Sequence, residues 1–122
     1  MGSGATDERS ARLMTAALDI CLLAFIAEKE RYGYELIKSL EEEGLELVKE
    51  GTVYPLLRRM EREGLIRGRL VPSVDGPARK YYSVSPKGRE RLVSWAEGFV
   101  EFAGVVKGIL GKRVNVERER PI

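Results

Sequence analysis

From Leu13 to Ala27 only Thr15 and Asp19 interrupt an otherwise apolar stretch, and few folds can accommodate such a run. It falls short of the roughly 18–20 apolar residues that a bilayer requires, and Asp19 lies within it. A secretory leader would begin with basic residues, whereas Asp7 and Glu8 precede this run and no small-residue cleavage site follows it. The expectation is a buried helix from about Asp7 to Lys29, with its first-turn acids complementing the helix dipole. A helix on the surface of a domain shows one apolar stripe, but this one is apolar on nearly every face and must be covered on several sides. A chain of 122 residues covers one of those sides. The rest calls for another long helix, contributed by a second subunit.

The residue types that are missing exclude much chemistry. The chain has no histidine and one cysteine, Cys21, so no His/Cys zinc site, Ser-His-Asp triad or Cys-His pair can be built. No intramolecular disulfide is possible, which fits a reducing cytoplasm. Within its apolar run Cys21 reads as a small buried hydrophobe. No glycine-rich phosphate loop appears, and Glu41, Glu42 and Glu43 are consecutive rather than convergent, as on a solvated helix end. No enzyme, catalytic residue, metal or cofactor is expected.

After Gly33 a second helix is expected over about Tyr34–Glu43, with Leu36, Ile37 and Leu40 on one face and Gly44 ending it. Leu45–Glu50 connects onward with room for one very short strand. A third helix covers about Gly51–Glu63: Val53, Leu56, Leu57 and Met60 recur at helical spacing, Pro55 belongs near the first turn, and Gly64 stops it. Leu65–Val71 and Arg79–Val84 read as strands of a hairpin whose long tip holds Pro72, Asp75, Gly76 and Pro77. Ser85-Pro86 opens a fourth helix, to about Leu110. Along it Leu92, Ala96, Phe99, Ala103, Val106 and Leu110 alternate at four and three residues, a coiled-coil seam, with Trp95, Phe102 and Ile109 as a second row.

Helix, helix, helix, hairpin is the order of a winged helix-turn-helix. The expected fold is mainly α with a small β-hairpin and a long C-terminal helix. It divides into a DNA-binding domain over residues 7–85, whose first helix also serves dimerisation, a dimerisation helix over 86–110 and a disordered tail over 111–122.

Net charge is only +2, from 21 basic and 19 acidic residues, so its distribution carries the information. From Leu65 to Arg91 there are seven basic and two acidic residues; from Glu28 to Glu50 there are four basic and eight acidic. On the third helix Gly51, Pro55, Arg58 and Arg62 point outward, flanked by Thr52, Arg59 and Tyr54. A slim tip with hydroxyls, followed by cations, suits a helix that enters a major groove. Arg67, Arg69, Arg79 and Lys80 make the hairpin basic, as a wing on the phosphate backbone would be. A winged helix used only for protein contact would present an apolar or acidic outer face instead.

Three runs carry a specific resemblance: Tyr32-Gly33-Tyr34-Glu35-Leu36, the stretch from Gly51-Thr52-Val53-Tyr54-Pro55 through Gly64-Leu65-Ile66, and Gly76-Pro77-Ala78-Arg79-Lys80-Tyr81-Tyr82. With these the chain resembles the PadR family of bacterial and archaeal repressors from about Leu13 to Leu110, although Tyr32 stands where the family more often has His. The short C-terminal region is similar to the smaller branch, with a single terminal helix. The resemblance implies a cytoplasmic homodimer formed by the first and last helices. It also implies an inverted-repeat operator on double-stranded DNA, with the third helices in successive major grooves. Thr52, Tyr54 and Pro55 would then lie at the DNA surface, and Arg79 and Lys80 in the wing. By strand alternation one of Tyr81 and Tyr82 must face inward. Two readings stay open for Trp95, with Phe99 and Phe102: dimer packing, or a cavity that stacks a planar aromatic ligand, beside Gly98 and Gly104.

Overall fold

The computed structural model describes residues 17–45 and 48–114. The expected start of the first helix and most of the expected tail lie outside them. Helix α1 is seen over residues 17–28. It is followed by β1 (Arg31–Tyr32), α2 (Gly33–Glu42), α3 (Glu50–Arg62), β2 (Ile66–Ser73), β3 (Gly76–Val84) and α4 (Pro86–Arg113). The fold is mostly helical with one small antiparallel sheet.

One core joins the first three helices and the root of the sheet. Leu18, Leu22, Leu23 and Ile26 of α1 meet Leu36, Ile37 and Leu40 of α2, Val53, Leu57 and Met60 of α3, and Leu65, Ile66 and Tyr82. Burying each large aliphatic side chain contributes roughly 1.5–3 kcal/mol. Helix α1 still has an uncovered side within one chain: Ala24 is exposed, and Cys21 and Phe25 are only partly buried. Cys21 is therefore less enclosed than expected, although burial and the neighbouring Asp19 carboxylate push its thiol pKa up.

Local chemistry sets the helix ends. The Glu35 carboxylate accepts from the Tyr32 backbone N–H at 3.1 Å, so α2 begins at Gly33, one residue early. Gly44 and Gly64 take left-handed φ values of 107° and 78° just past α2 and α3, a conformation that costs other residues a Cβ clash. Helix α3 starts at Glu50, which makes Pro55 its sixth residue rather than a first-turn residue. Proline offers no N–H to the Gly51 carbonyl one turn earlier, and both residues lie on the exposed side, where water replaces that bond.

The sheet departs from the sequence expectation in two ways. Its strand order is β1-β3-β2, and the short strand is Arg31–Tyr32, ahead of α2, pairing with Tyr82 and Tyr81 of β3. The described residues between α2 and α3 form no strand. The hairpin strands are also longer than expected and leave only Val74-Asp75 as the tip. Pro72 fits because the register shifts between Val71 and Ser73, a bulge where no ladder donor is needed.

Ser85 anchors α4. Its buried hydroxyl lies 2.6 Å from the Gly64 carbonyl and 3.0 Å from that of Leu65, and accepts from the Gly88 N–H at 3.0 Å. Leu92 and Trp95 pack partly on the core. Beyond them α4 projects with its apolar rows bare, Phe99 being 46% exposed and Phe102 67%, and it runs three residues past the expected end.

Candidate nucleic-acid interface

The amphipathic pattern of α3 turns Val53, Leu57 and Met60 inward and leaves Gly51, Pro55, Arg58 and Arg62 exposed. Arg58 and Arg62 have no hydrogen-bond or ion-pair partner among the described residues. Thr52 is half-buried at the rim. The other two flanking residues turn back toward the domain. Arg59 bridges Asp19 of α1 at 3.7 Å and Glu63 at 4.0 Å. Tyr54 leans on the start of α2: a Cβ on Gly33 would overlap its ring, and its hydroxyl would stand 2.6 Å away. Burial raises the Tyr54 pKa, with the Glu50 and Tyr32 charges adding to the shift.

The hairpin register splits the wing cations between two faces. Arg67, Arg69, Arg79 and Tyr81 share one face; Gly68, Leu70, Lys80 and the buried Tyr82 share the other. Tyr82 is thus the inward tyrosine, and burial raises its pKa. On the first face Arg69 forms a two-point pair with Glu30, at 2.7 and 3.2 Å. That hydrogen bonding holds the Glu30 carboxyl below its ordinary pKa and lifts that of Arg69. Arg79 lies 4.7 Å from the centre of the Tyr32 ring, which tilts against Tyr81 at 5.2 Å. On the second face Lys80 donates to Glu61 of α3 at 2.8 Å, which raises the lysine pKa. Arg67 has no partner among the described residues.

The sequence reading missed the acids that hold these cations. Glu30 and Arg69 are 39 residues apart, and Glu61 and Lys80 are 19 apart, so no local pattern links them. Strand alternation could have separated Lys80 from Arg79, because neighbours on a strand face opposite sides.

Between α1 and α4 lies an open cleft of about 370 Å³, walled by Asp19, Ile20, Ser94, Trp95, Gly98 and Phe99. The Arg91 guanidinium sits 5.6 Å from the Trp95 ring centre. Phe102 lies further along α4, outside this cleft. Within the described residues nothing stands within 4 Å of where a Cβ on Gly98 or Gly104 would be, so neither glycine is required for clearance there. Also among them, no cluster of acids and cysteine is arranged to hold a metal ion, and no helix is long and apolar enough to cross a membrane.

Three packed helices, with α3 at the surface beside a protruding hairpin, define a winged helix-turn-helix domain. Domains of this class read DNA through a helix in the major groove. Residues 22–94 match the transcriptional regulator PadR-like family. The chain is 36% identical over 93 residues to the transcriptional regulator Rv3488 of Mycobacterium tuberculosis, covering 76% of this chain and 85% of that one. Among solved structures, a PadR-like transcriptional regulator from Bacillus cereus is 39% identical, with a TM-score of 0.73 over 81% of this chain and 96% of the other. A PadR family regulator from Eggerthella lenta is 27% identical, with a TM-score of 0.78 over 86% and 91%. The chain belongs to the PadR-like family of transcriptional regulators, whose members bind DNA.

Proposed function

We propose that the protein is a repressor that binds an inverted-repeat operator as a homodimer. The observation that carries this reading is the pair Arg58 and Arg62, unpartnered among the described residues and in line with Gly51 and Pro55, beside a basic hairpin. On this reading Gly51, Thr52 and Pro55 approach base edges, while Arg58, Arg62 and the hairpin cations meet phosphates. The bare apolar rows of α4 and the uncovered side of α1 support dimerisation through these helices.

Selection of bound duplexes from random sequence tests the reading. The expected product is a two-fold site with half-sites about 10 bp apart, one helical turn. With about 6–10 phosphate contacts, affinity falls about 10³–10⁵-fold between about 50 and 200 mM salt. A flat salt response, or a stable folded monomer in sedimentation, overturns it.

The cleft beside Trp95 favours a second element, release from DNA by a planar aromatic ligand. The sole tryptophan gives one indole N–H signal to follow while planar compounds are titrated. Trp95→Ala then leaves a folded dimer whose operator binding, measured alongside the indole signal in the wild type, no longer responds to the compound. If that variant fails to dimerise and no compound moves the signal, Trp95 packs the interface.

A further inference from the structure

The Lys80–Glu61 contact joins the two elements that the proposed function places on DNA. Lys80 extends from β3 toward α3, and its Nζ lies 2.8 Å from Glu61 Oε1. Its methylenes pass over Gly68 of the paired strand: a Cβ there would overlap Lys80 Cε and stand 3.0 Å from Glu61 Oε2. The Lys80 Nζ also lies 5.8 Å from the Tyr82 ring centre, within cation–π range. Gly68, Lys80, Tyr82 and Glu61 therefore form a fitted strap between the hairpin and the last turn of the outward-facing helix.

Glu61 is the only acid in α3 after Glu50, and it adjoins Arg62 and lies one turn from Arg58. A carboxylate among cations that face phosphate opposes binding electrostatically, so raw affinity gives no reason for it. Geometry does. The far face of the hairpin is braced by Glu30 and Tyr32, which lie outside α3. Among the described residues two acids pair with the hairpin, and Glu61 is the one that ties it to the helix itself.

We infer that Glu61 is a positioning residue for DNA reading: by holding Lys80 across Gly68 it fixes the angle between α3 and the hairpin, and so the spacing at which both can engage one duplex. This rests on the proposed joint use of α3 and hairpin.

The test compares Glu61→Ala, Lys80→Met and Gly68→Ala in the full chain. Each is measured on the duplex that wild type selects from random sequence and on an unrelated duplex of equal length. One variant loses an acid, one loses a base and one changes no charge. If the strap sets the angle, all three lower the ratio of selected to unrelated affinity, by about tenfold, the scale of one coupled pair. Hydroxyl-radical protection flanking the major-groove footprint then fades while the central protection persists. The inference is overturned if the effects follow charge instead: Glu61→Ala tighter on both duplexes, Lys80→Met weaker on both and Gly68→Ala unchanged. If Gly68→Ala does not fold, the charged pair still decides by whether the ratio falls in both or in neither. A wild type that selects no duplex removes the underlying reading itself.

Discussion

On α3, Arg58 and Arg62 have no ion-pair partner among the described residues. On the hairpin, Arg69 is forked on Glu30, Lys80 is held by Glu61 and Arg79 lies over Tyr32. Both regions are basic in sequence, but their cations are differently available. An unpaired cation gains the full attraction of a phosphate. A paired one must first release a carboxylate, and the freed acid then repels the DNA. On the proposed function Arg58, Arg62 and Arg67, unpaired among the described residues, therefore give phosphate contacts the most, and Arg69, Arg79 and Lys80 give them less because each is already held within the fold.

The largest effect tests that division directly. Replacing Arg58 and Arg62 together with Ala is expected to weaken binding to the selected and to unrelated duplexes about equally, because contacts to phosphate carry no sequence information. The salt dependence becomes shallower by about one unit for each phosphate left without its cation. Fluorescence anisotropy with a labelled duplex across a salt series measures both. Arg69→Ala is expected to cost clearly less. If it costs as much as the double variant, the contrast between the two regions is broken.

A smaller effect sharpens the contrast within the hairpin, between its charged strands and its neutral root. Ser85 ties the turn after α3 to the start of α4 through two carbonyls and the Gly88 N–H. Ser85→Ala removes an N-cap while the Leu65 carbonyl keeps the backbone N–H of residue 85, for a loss of about 1 kcal/mol in urea unfolding. Because none of these groups is charged, the loss is the same at low and high salt. A loss that shrinks with salt would mean that ion pairs, not this neutral joint, secure the root.

How much of this was legible in the sequence follows from how far apart the interacting groups are. The inward face of α3, its stop at Gly64 and the Ser85 cap arise from neighbours within a few residues, and periodicity and turn chemistry report them. Strand β1 is only two residues long and exists because β3 lies alongside it, so its own sequence carries no signal. Pro72 carries the sequence signature of a loop, and the bulge that admits it into β2 depends on the pairing with β3. A helical wheel puts Arg59 on the flank of the outward face, and its ion pair with Asp19, far earlier in the chain, comes from the fold, the side chain staying 47% exposed. A wheel shows direction and cannot show which distant acid lies there.

The smallest expected effect concerns Glu30, and it separates availability from mere presence of charge. The hydrogen bond from Arg69 lowers the Glu30 pKa relative to the unfolded chain. A depressed carboxylate contributes stability above its ordinary pKa of 4.5, and that contribution is lost as pH falls through the lower folded value. Both side chains are substantially exposed, so screening keeps the contribution slight, and it weakens further in salt. With no histidine in the chain, no side chain with an unperturbed pKa titrates between about pH 6 and 8, and stability stays nearly flat there. Glu30→Gln therefore leaves unfolding at neutral pH almost unchanged and flattens the acid limb. Its effect on DNA is opposite in sign to the arginine losses. Arg69 is released toward phosphate, so unrelated duplexes bind more tightly and the salt slope steepens by about one unit per subunit. Removing an acid could raise affinity by simple electrostatics, and the double variant Glu30→Gln with Arg69→Ala resolves the two causes. If the gain requires a free guanidinium, the glutamine substitution brings no gain on the Arg69→Ala background. If the gain persists there, Glu30 acts only as a repelling charge, and the hairpin is no more restrained than α3.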